Sequence, residues 1–434
     1  MDVFSNPSLA LPFSYTFTSS SSSTTTSSDS SSGPWMDSRI WSKLPPQLLE
    51  RVIAFLPPPA FFRSRCVCKR WYGLLFSNSF LEIYLQVLLS SSRRCNWFLF
   101  FKRKTLKSYI YKTGNSRGNQ VDDPRNGNSA EGYLFDPYEL QWYRLSFPYI
   151  PTGFYPFGSS GGLVCWVSEE AGLKTLLLSN PLVGSVSQLP PTSRPRLFPS
   201  IGLSISPTSI DVSVAGDDLI SPYAVKNLSS ESFHVDAGGF FSIWAITSSL
   251  PRLCSLESGK MVYVQGKFYC MNYGPYSVLS YDVAGNRWFK IQAPMRRFIR
   301  SPSLMESKGR LILVAAVEKS KLNVPKSLRL WSLQRDDATW IEIERMPQQL
   351  YVQFAAEEAG KGFECVGNGE FMMIVLRGTS SQLMFDMARK GWQWILPCPY
   401  GGSGGGGEVL QGFAYEPAIA TPVASLLDQL ALPF

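Results

Sequence analysis

The stretch Ile40–Phe80 reads IWSKLPPQLLERVIAFLPPPAFFRSRCVCKRWYGLLFSNSF and decides the organisation of this 434-residue chain. The prolines at 45–46 suit the first turn of a helix, because a proline there loses no intrahelical hydrogen bond. The prolines at 57–59 end that helix, because proline lacks the backbone donor and clashes with the preceding turn. Further helical patterns begin near Ala60 and Lys69, so the stretch predicts three short helices.

The first of these helices carries a wide apolar stripe opposite Glu50 and Arg51. Its apolar positions recur at helical spacing and are Leu48, Leu49, Val52, Ile53 and Leu56. Three short helices bury too little apolar surface to be stable alone, so a following domain or a partner must cover part of it. A helical subdomain that packs on the rest of the chain is one interpretation. A docking surface is favoured because Leu44-Pro45, the stripe and Arg65–Trp71 occur together in order.

This combination of motifs resembles the F-box of the adaptor subunits of cullin-RING ubiquitin ligases. In that family the three helices bind a Skp1-type linker protein, so the resemblance implies this partner and, through it, cullin and RING subunits. By position it assigns the linker contact to Leu44, Pro45, Leu48, Leu49, Val52, Ile53, Leu56 and Cys68. Pro45, Leu48 and Leu49 are expected to face the partner. Val67 and Trp71 are expected to hold the helices together.

Composition limits the remaining classes of function. The formal net charge is +8 with an isoelectric point near 9.0, which allows an acidic or nucleic-acid partner without establishing one. No run of eighteen apolar residues is present, so no membrane span is expected. The eight cysteines are scattered without a C-x-x-C pair, which argues against a disulfide framework and a RING-type zinc site. We therefore expect neither a metal nor a cofactor.

Three regions follow from the changes in composition. Residues 1–34 are a Ser/Thr-rich leader that is predicted to be disordered, because it offers little apolar surface to bury. Residues 35–92 form the helical F-box domain. From 93 to 434, short strands rich in Val, Leu, Phe, Tyr and Trp alternate with Gly, Pro, Asn and Ser, which predicts an all-β domain. The glycine run at 401–407 is predicted to be a flexible loop.

A repeated hairpin indicates the architecture of the β domain. Each copy has an apolar strand, a polar turn and usually a tryptophan that begins a second strand; the copies lie at 133–142, 178–187, 279–288, 330–340 and 384–392, with a weaker one at 223–233. The anchor positions, which are about 45 to 55 residues apart as in propeller blades, are Trp142, Gln188, Phe233, Trp288, Trp340 and Trp392. The four tryptophans are predicted to pack between blades.

The predicted fold is mainly β: an N-terminal three-helix F-box followed by a kelch-like β-propeller of about six degenerate blades. An immunoglobulin-like sandwich is the alternative, but it does not predict tryptophan at a regular period. The tail after Val409 could supply a strand that closes the ring, because closure removes exposed edges. Its leucines at 426, 427 and 430 suggest a short terminal helix instead.

Catalytic motifs are weak throughout the chain. His234 is the only histidine, which removes most imidazole-dependent sites. Gly158–Gly162 matches the G-x-S-x-G pattern of a nucleophile elbow, but a strand, Leu163–Val167, is predicted to follow where the elbow needs a helix. The G-x-G-x-x-G match within 402–407 has no βαβ unit around it. The sequence therefore predicts a non-catalytic protein.

Three basic clusters are candidates for contact with a client protein or with DNA phosphates. They comprise Lys102, Arg103 and Lys104, then Arg296, Arg297 and Arg300, and finally Lys319 and Lys321. Such charges are commonly just solvated, but loops on one face of a propeller often form its binding surface. Phosphate contact would make the affinity depend strongly on salt.

The resemblance extends beyond the F-box to plant F-box/kelch adaptors that regulate flower development. It rests on the Ser/Thr-rich leader, WSKLPP, AFFRSRCVCKRW and the glycine run before LLDQLALPF. It implies a substrate-recognition subunit of an SCF-type ubiquitin ligase that binds a LEAFY/Floricaula-type transcription factor in the nucleus. One alternative is a ligase-independent co-regulator that redirects this transcription factor on DNA. A propeller that binds a small ligand in its channel is another.

Overall fold

The computed structural model describes residues 43–90, 95–102, 130–218, 227–236, 243–256, 259–273, 275–318, 326–334, 339–400 and 410–430. The chain divides between Cys95 and Asn96 into two compact units. The predictions for the Ser/Thr-rich leader and the glycine-rich loop lie outside the described residues.

The first unit is helical. Its elements are α1 (Pro46–Ala54), α2 (Pro58–Ser64), α3 (Lys69–Tyr72), a 3-10 turn (Gly73–Phe76) and α4 (Asn78–Ser90). Both α1 and α2 begin at a proline. The sequence predicts this start for α1, whereas it places the start of α2 near Ala60, two residues after the observed Pro58. The helix α4 is absent from the three predicted helices, although its buried residues Phe80, Tyr84 and Val87 recur at helical spacing.

The second unit is a β-propeller of six blades, which confirms the predicted fold class. Blade 1 contains β1 (Trp97–Lys102), β2 (Ala130–Asp136) and β3 (Gln141–Phe147). The next strands are β4 (Phe154–Ser160), β5 (Leu163–Ser168), β6 (Gly172–Leu173), β7 (Leu176–Asn180), β8 (Ser185–Gln188) and β9 (Pro195–Arg196). Of these, β6 and β9 form a separate pair and the other four make blade 2.

Blade 3 consists of β10 (Ser200–Ile205), β11 (Ser209–Asp217), β12 (Leu228–Asp236) and β13 (Ala245–Ile246), with β14 (Gly259–Lys260) added parallel to β10. Blade 4 consists of β15 (Val262–Val264), β16 (Lys267–Asn272), β17 (Ser277–Asp282) and β18 (Arg287–Gln292). Blade 5 consists of β19 (Ile299–Ser307), β20 (Arg310–Val317), β21 (Ser327–Leu333) and β22 (Trp340–Arg345).

Helix α5 (Gln348–Glu358) leads into blade 6, which consists of β23 (Phe363–Asn368), β24 (Phe371–Leu376), β25 (Gln382–Asp386) and β26 (Gly391–Ile395). The chain ends with β27 (Leu410–Tyr415) and α6 (Ala424–Leu430). The innermost strand of each blade lines the central channel, and in blade 1 this strand is β27. The six lining strands, which are neighbours in a ring, are β4, β10, β15, β19, β23 and β27. The middle strands are buried on both faces, as β24 is along its whole length, because blades pack on either side.

The last strand closes the ring. Strand β27 pairs antiparallel with β1, so that Trp97 lies opposite Tyr415, and blade 1 is thus built from both ends of the propeller. The tail also forms the helix α6, whose Leu426 and Leu427 are buried in the core between blades 2 and 3. The closing strand and the terminal helix, treated as alternatives in the sequence, are both present.

The repeated hairpin corresponds to the third and fourth strands in five of the six blades. In blade 3 the prediction was wrong: Phe233 lies inside the third strand, β12, instead of beginning the fourth, and the outer hairpin joins β12 to β13. Residues 223–226 of the predicted segment lie outside the described residues. Its tryptophan is Trp244, which donates a hydrogen bond of 2.8 Å to the carbonyl oxygen of Pro190. Because the outer strand of this blade has only two residues, its pattern is too short to read from sequence.

Three of the tryptophans anchor an outer strand to the preceding blade by an indole hydrogen bond. Trp142 donates to the carbonyl oxygen of Leu396 at 3.1 Å, after the end of blade 6. Trp288 donates to the hydroxyl of Ser230 in blade 3 at 2.9 Å. Trp340 makes the corresponding bond to blade 4. Trp392 stacks on Phe385, with ring centroids 4.3 Å apart.

Candidate docking surfaces

The helical unit has an aromatic core. Phe61 of α2 stacks on Phe80 of α4 with ring centroids 5.8 Å apart, and it meets Phe62 edge-on at 5.5 Å. Phe61 exposes 1% of its surface and Phe80 none. Aromatic rings bury large apolar areas, so these contacts help to fix the positions of α2 and α4.

The apolar stripe of α1 divides into a buried half and an exposed half. Leu49 and Ile53 expose only 7% and 1% of their surface, so they belong to the core. On the other half, Leu48, Val52 and Phe55 are spaced by four and three residues and expose 52%, 40% and 61%. We call these three residues the α1 ridge. The predicted linker contact does not include Phe55, although its spacing from Leu48 and Val52 places it on their face.

The buried half corrects part of the predicted linker contact. Leu49 and Ile53 were assigned to the partner, but they face the helical core because α1 packs against α4. Leu44 and Leu56 are half-buried and Pro45 is exposed. The α1 ridge, with Pro45 before it, is therefore the accessible apolar surface of this helix.

The segment between α2 and α3 departs from the prediction at Val67. Its side chain is 66% exposed, so it does not hold the helices together, whereas Trp71 is half-buried and Cys68 is exposed at the start of α3. The buried Arg65, instead of Val67, holds the end of α2 against α3. The Nε of Arg65 donates to the carbonyl oxygen of Tyr72 at 3.2 Å. The guanidinium carbon of Arg65 lies 4.6 Å from the centre of the Tyr72 aromatic ring. Burial lowers the pKa of Arg65.

The ends of the propeller strands define two rims. Every blade begins with a channel-lining strand in the same direction, so the connections that enter these strands share a rim with the connections between second and third strands. We call this the upper rim. Lys102, at the end of β1, and Arg296 and Arg297, between β18 and β19, lie on it. Arg297 is exposed and Arg296 is half-buried. Arg103, Lys104, Lys319 and Lys321 lie outside the described residues.

Arg300 is not available for a phosphate or a client, which corrects the prediction for this residue. Its two terminal nitrogens bond to the two carboxylate oxygens of Glu358 at 2.5 and 2.8 Å, and its Nε bonds to Glu318. Glu358 is buried, and its carboxylate also accepts the backbone N–H groups of Gly360 and Gly362. Burial opposes the charged form of Glu358, but these donors outweigh it and lower the pKa. The pair therefore fastens α5 to blade 5.

Lys260 occupies part of the central channel. It lies on β14, which pairs with the channel-lining strand β10 of blade 3. Its Nζ nevertheless donates a hydrogen bond of 3.0 Å to the carbonyl oxygen of Gly412 in blade 1. These blades are not neighbours, so the side chain reaches through the channel past blade 2. Burial lowers the pKa of Lys260, while Glu364 of blade 6 raises it. The channel at this level is crossed by protein, which leaves less room for a small ligand.

The residues of the weak catalytic motifs lie in hairpins and paired strands of the propeller. Gly158–Gly162 belongs to the hairpin of β4 and β5, with Gly161 and Gly162 at φ 56° and 81°, and no helix follows it. His234 pairs with Asp211 across two strands, with Nδ1 2.6 Å from the carboxylate. Among the described residues, no three His, Cys, Asp or Glu side chains are placed to hold a metal ion. Within the same residues, no helix is long and apolar enough to cross a membrane.

Comparison with known proteins shows which family the chain belongs to. Residues 41–82 match the F-box domain, and residues 134–359 match the KIB1-4 β-propeller. The chain is 80% identical to Protein UNUSUAL FLORAL ORGANS of Arabidopsis thaliana over 99% of its length and 98% of that protein. The chain belongs to the UNUSUAL FLORAL ORGANS family of F-box proteins.

More distant relatives match most of the chain. Protein ABERRANT PANICLE ORGANIZATION 1 of Oryza sativa subsp. indica is 42% identical over 91% of this chain and 92% of its own length. SKP1-interacting partner 15 of Arabidopsis thaliana is 23% identical over 84% of this chain and 95% of its own. Membership in the UNUSUAL FLORAL ORGANS family agrees with the role of an SCF substrate adaptor in floral organ development.

Proposed function

We propose that this protein is the substrate-recognition subunit of an SCF-type ubiquitin ligase and acts without chemistry of its own. The F-box would bind a Skp1-like linker, and the propeller would bind a LEAFY/Floricaula-type transcription factor. The linker's cullin and RING subunits would supply catalysis by bringing the client to the conjugating enzyme. The name of one relative, SKP1-interacting partner 15, supports the linker as a partner.

The observation that carries the proposal is the α1 ridge. Leu48, Val52 and Phe55 expose large apolar side chains in a row while the opposite half of the same helix is packed in the core. Exposed apolar surface of this kind marks sites of protein association. The rows of buried and exposed residues on one helix support a docking role over a purely internal one.

The experiment is a pull-down of the full-length protein with a purified Skp1-like linker. We expect the Leu48→Ala, Phe55→Ala double variant to lose at least about tenfold in affinity, because a few central apolar residues dominate such interfaces. Leu89→Ala is the matched control, since Leu89 is 59% exposed on α4 and lies outside the ridge. Linker binding that is equal in the double variant, or absent in the folded wild type, would refute the adaptor role.

The ligase-independent co-regulator is the second candidate. The exposed Arg297 on the upper rim supports a surface that could touch DNA phosphates beside a DNA-bound client. The same double variant separates the two functions. If client-dependent transcription in the nucleus survives loss of the linker, the co-regulator is favoured; if it fails, the ligase is favoured. Client–DNA affinity that does not change between low and high salt would remove the phosphate contact, and a fluorescent fusion would test the nuclear location.

A further inference from the structure

Leu253 is presented to solvent in an unusual way. It lies in the connection between blades 3 and 4, and its side chain is 90% exposed. Its backbone has a φ of 57°, in the left-handed region that branched side chains avoid. A large apolar side chain thus projects into solvent from an unfavourable backbone conformation.

Local turn geometry explains most other left-handed residues, but it does not explain Leu253. Five of them occupy tight hairpins: Leu140, Gln265, Asn286, Lys308 and Lys390. Ala359 ends α5, where a left-handed residue commonly closes a helix. Leu253 lies in neither a hairpin nor a helix end. Unexplained strain of this kind is concentrated at functional sites.

The chain around Leu253 is fastened to blade 4. Lys290 of β18 donates through Nζ to the carbonyl oxygen of Leu253 at 3.0 Å. Five residues earlier, the N–H of Ser248 donates to Asn286, in the turn before β18, at 3.2 Å. Leu250 and Cys254 pack on the buried cluster that contains Trp288. The segment is therefore held on both sides while the side chain of Leu253 points outward.

We propose that Leu253 is a hydrophobic anchor that inserts into an apolar pocket of the client protein. Arg252 and Lys290, both exposed, flank the anchor with positive charge, so the pocket that fits it has acidic groups at its edge. A few residues carry most of the affinity of an interface, and a side chain that is already ordered in the free protein loses less entropy on binding. This inference rests on the proposed function, in which the client is a LEAFY/Floricaula-type transcription factor.

The decisive variant is Leu253→Gly. Glycine adopts positive φ freely, so we expect a melting temperature equal to or above that of the wild type. Affinity for the client, measured by calorimetry with full-length proteins, is expected to fall at least tenfold. Leu253→Asn, which also tolerates this conformation and removes the apolar side chain, is expected to lose the same affinity. Leu396→Asn is the matched control, because Leu396 is 83% exposed in another connection.

The outcomes separate this inference from the proposed function. Client affinity unchanged in Leu253→Gly, or a lowered melting temperature, would overturn the anchor, as would a homodimer of the wild type that dissociates in the variant. A wild type that binds the linker but not this client would overturn both the client assignment and the anchor. A wild type that binds the client through Leu253 but not the linker would overturn only the ligase role.

Discussion

The indole nitrogen of Trp340 donates a hydrogen bond of 2.9 Å to the carbonyl oxygen of Gln292. It joins the start of the outermost strand of blade 5 to the end of the outermost strand of blade 4. Trp142, Trp244 and Trp288 make corresponding bonds toward the preceding blade. The ring is therefore held together at its circumference by indole donors as well as by apolar packing between blades.

Removing the indole donor tests this relationship. Trp340→Phe keeps an aromatic ring but loses the N–H, and we expect a loss of about 1 kcal/mol in the free energy of unfolding. Trp392→Phe is the comparison, because the contact of Trp392 is its stacked ring on Phe385, which phenylalanine can retain. Urea unfolding of both variants measures the difference; an equal cost would show that packing alone matters at Trp340.

The two halves of α1 predict opposite phenotypes for adjacent leucines. Leu49→Ala opens a cavity in the helical core and is expected to cost about 2–5 kcal/mol. Leu48→Ala removes an exposed side chain and is expected to change stability by less than about 0.5 kcal/mol while it weakens linker binding. Unfolding followed by a probe in the helical unit measures the first effect. A similar loss of stability in both variants would contradict the division of the stripe.

The lowered pKa of Glu358 predicts that the stability of the protein decreases as the pH becomes acidic. Its pKa is lowered in the folded protein, so its contribution is present above the unfolded value of about 4.3 and is lost as the pH falls through the folded pKa. We expect the stability advantage of the wild type over Glu358→Gln to shrink between pH 6 and pH 3. Glu370→Gln is the control, because its ion pair with Lys308 is exposed. Thermal unfolding across this range checks the trend, which a constant advantage would contradict.

The buried Lys174 predicts that the stability of the protein rises with pH in the alkaline range. It is fully buried, its Nζ bonds to the carbonyl oxygens of Ser168 and Glu170, and burial lowers its pKa to about 8. Unfolded lysine titrates near 10.4, so between these values the unfolded chain holds more protons and stability rises with pH.

The measurement for Lys174 is the difference in melting temperature between the wild type and Lys174→Met. We expect this difference to shift in favour of the wild type from pH 7.5 to pH 10, since other lysines titrate equally in both proteins. A difference that stays flat over this range would mean that Lys174 keeps an ordinary pKa in the fold.

Sequence pattern was sufficient where local chemistry repeats. The prolines at 45–46 and 57–59 place the ends of α1, and the strand-turn-tryptophan period locates the outer hairpins of five blades. It failed in blade 3, where the last strand has two residues and Trp244 falls outside the period. Proline geometry and strand alternation act within a few residues, so the sequence carries them directly.

Tertiary structure alone decided which apolar and charged residues are free to act. Leu48 and Leu49 are equivalent in sequence, yet packing against α4 buries one and leaves the other on the ridge. Arg300 resembles the other basic candidates in sequence, but the fold places Glu358 of α5, 58 residues further along the chain, against it. The sequence by itself determined α1 and the outer hairpins of five blades, because those depend on near neighbours. Accessibility and charge pairing depend on residues far apart, and only the closed ring and the packed helices bring them together.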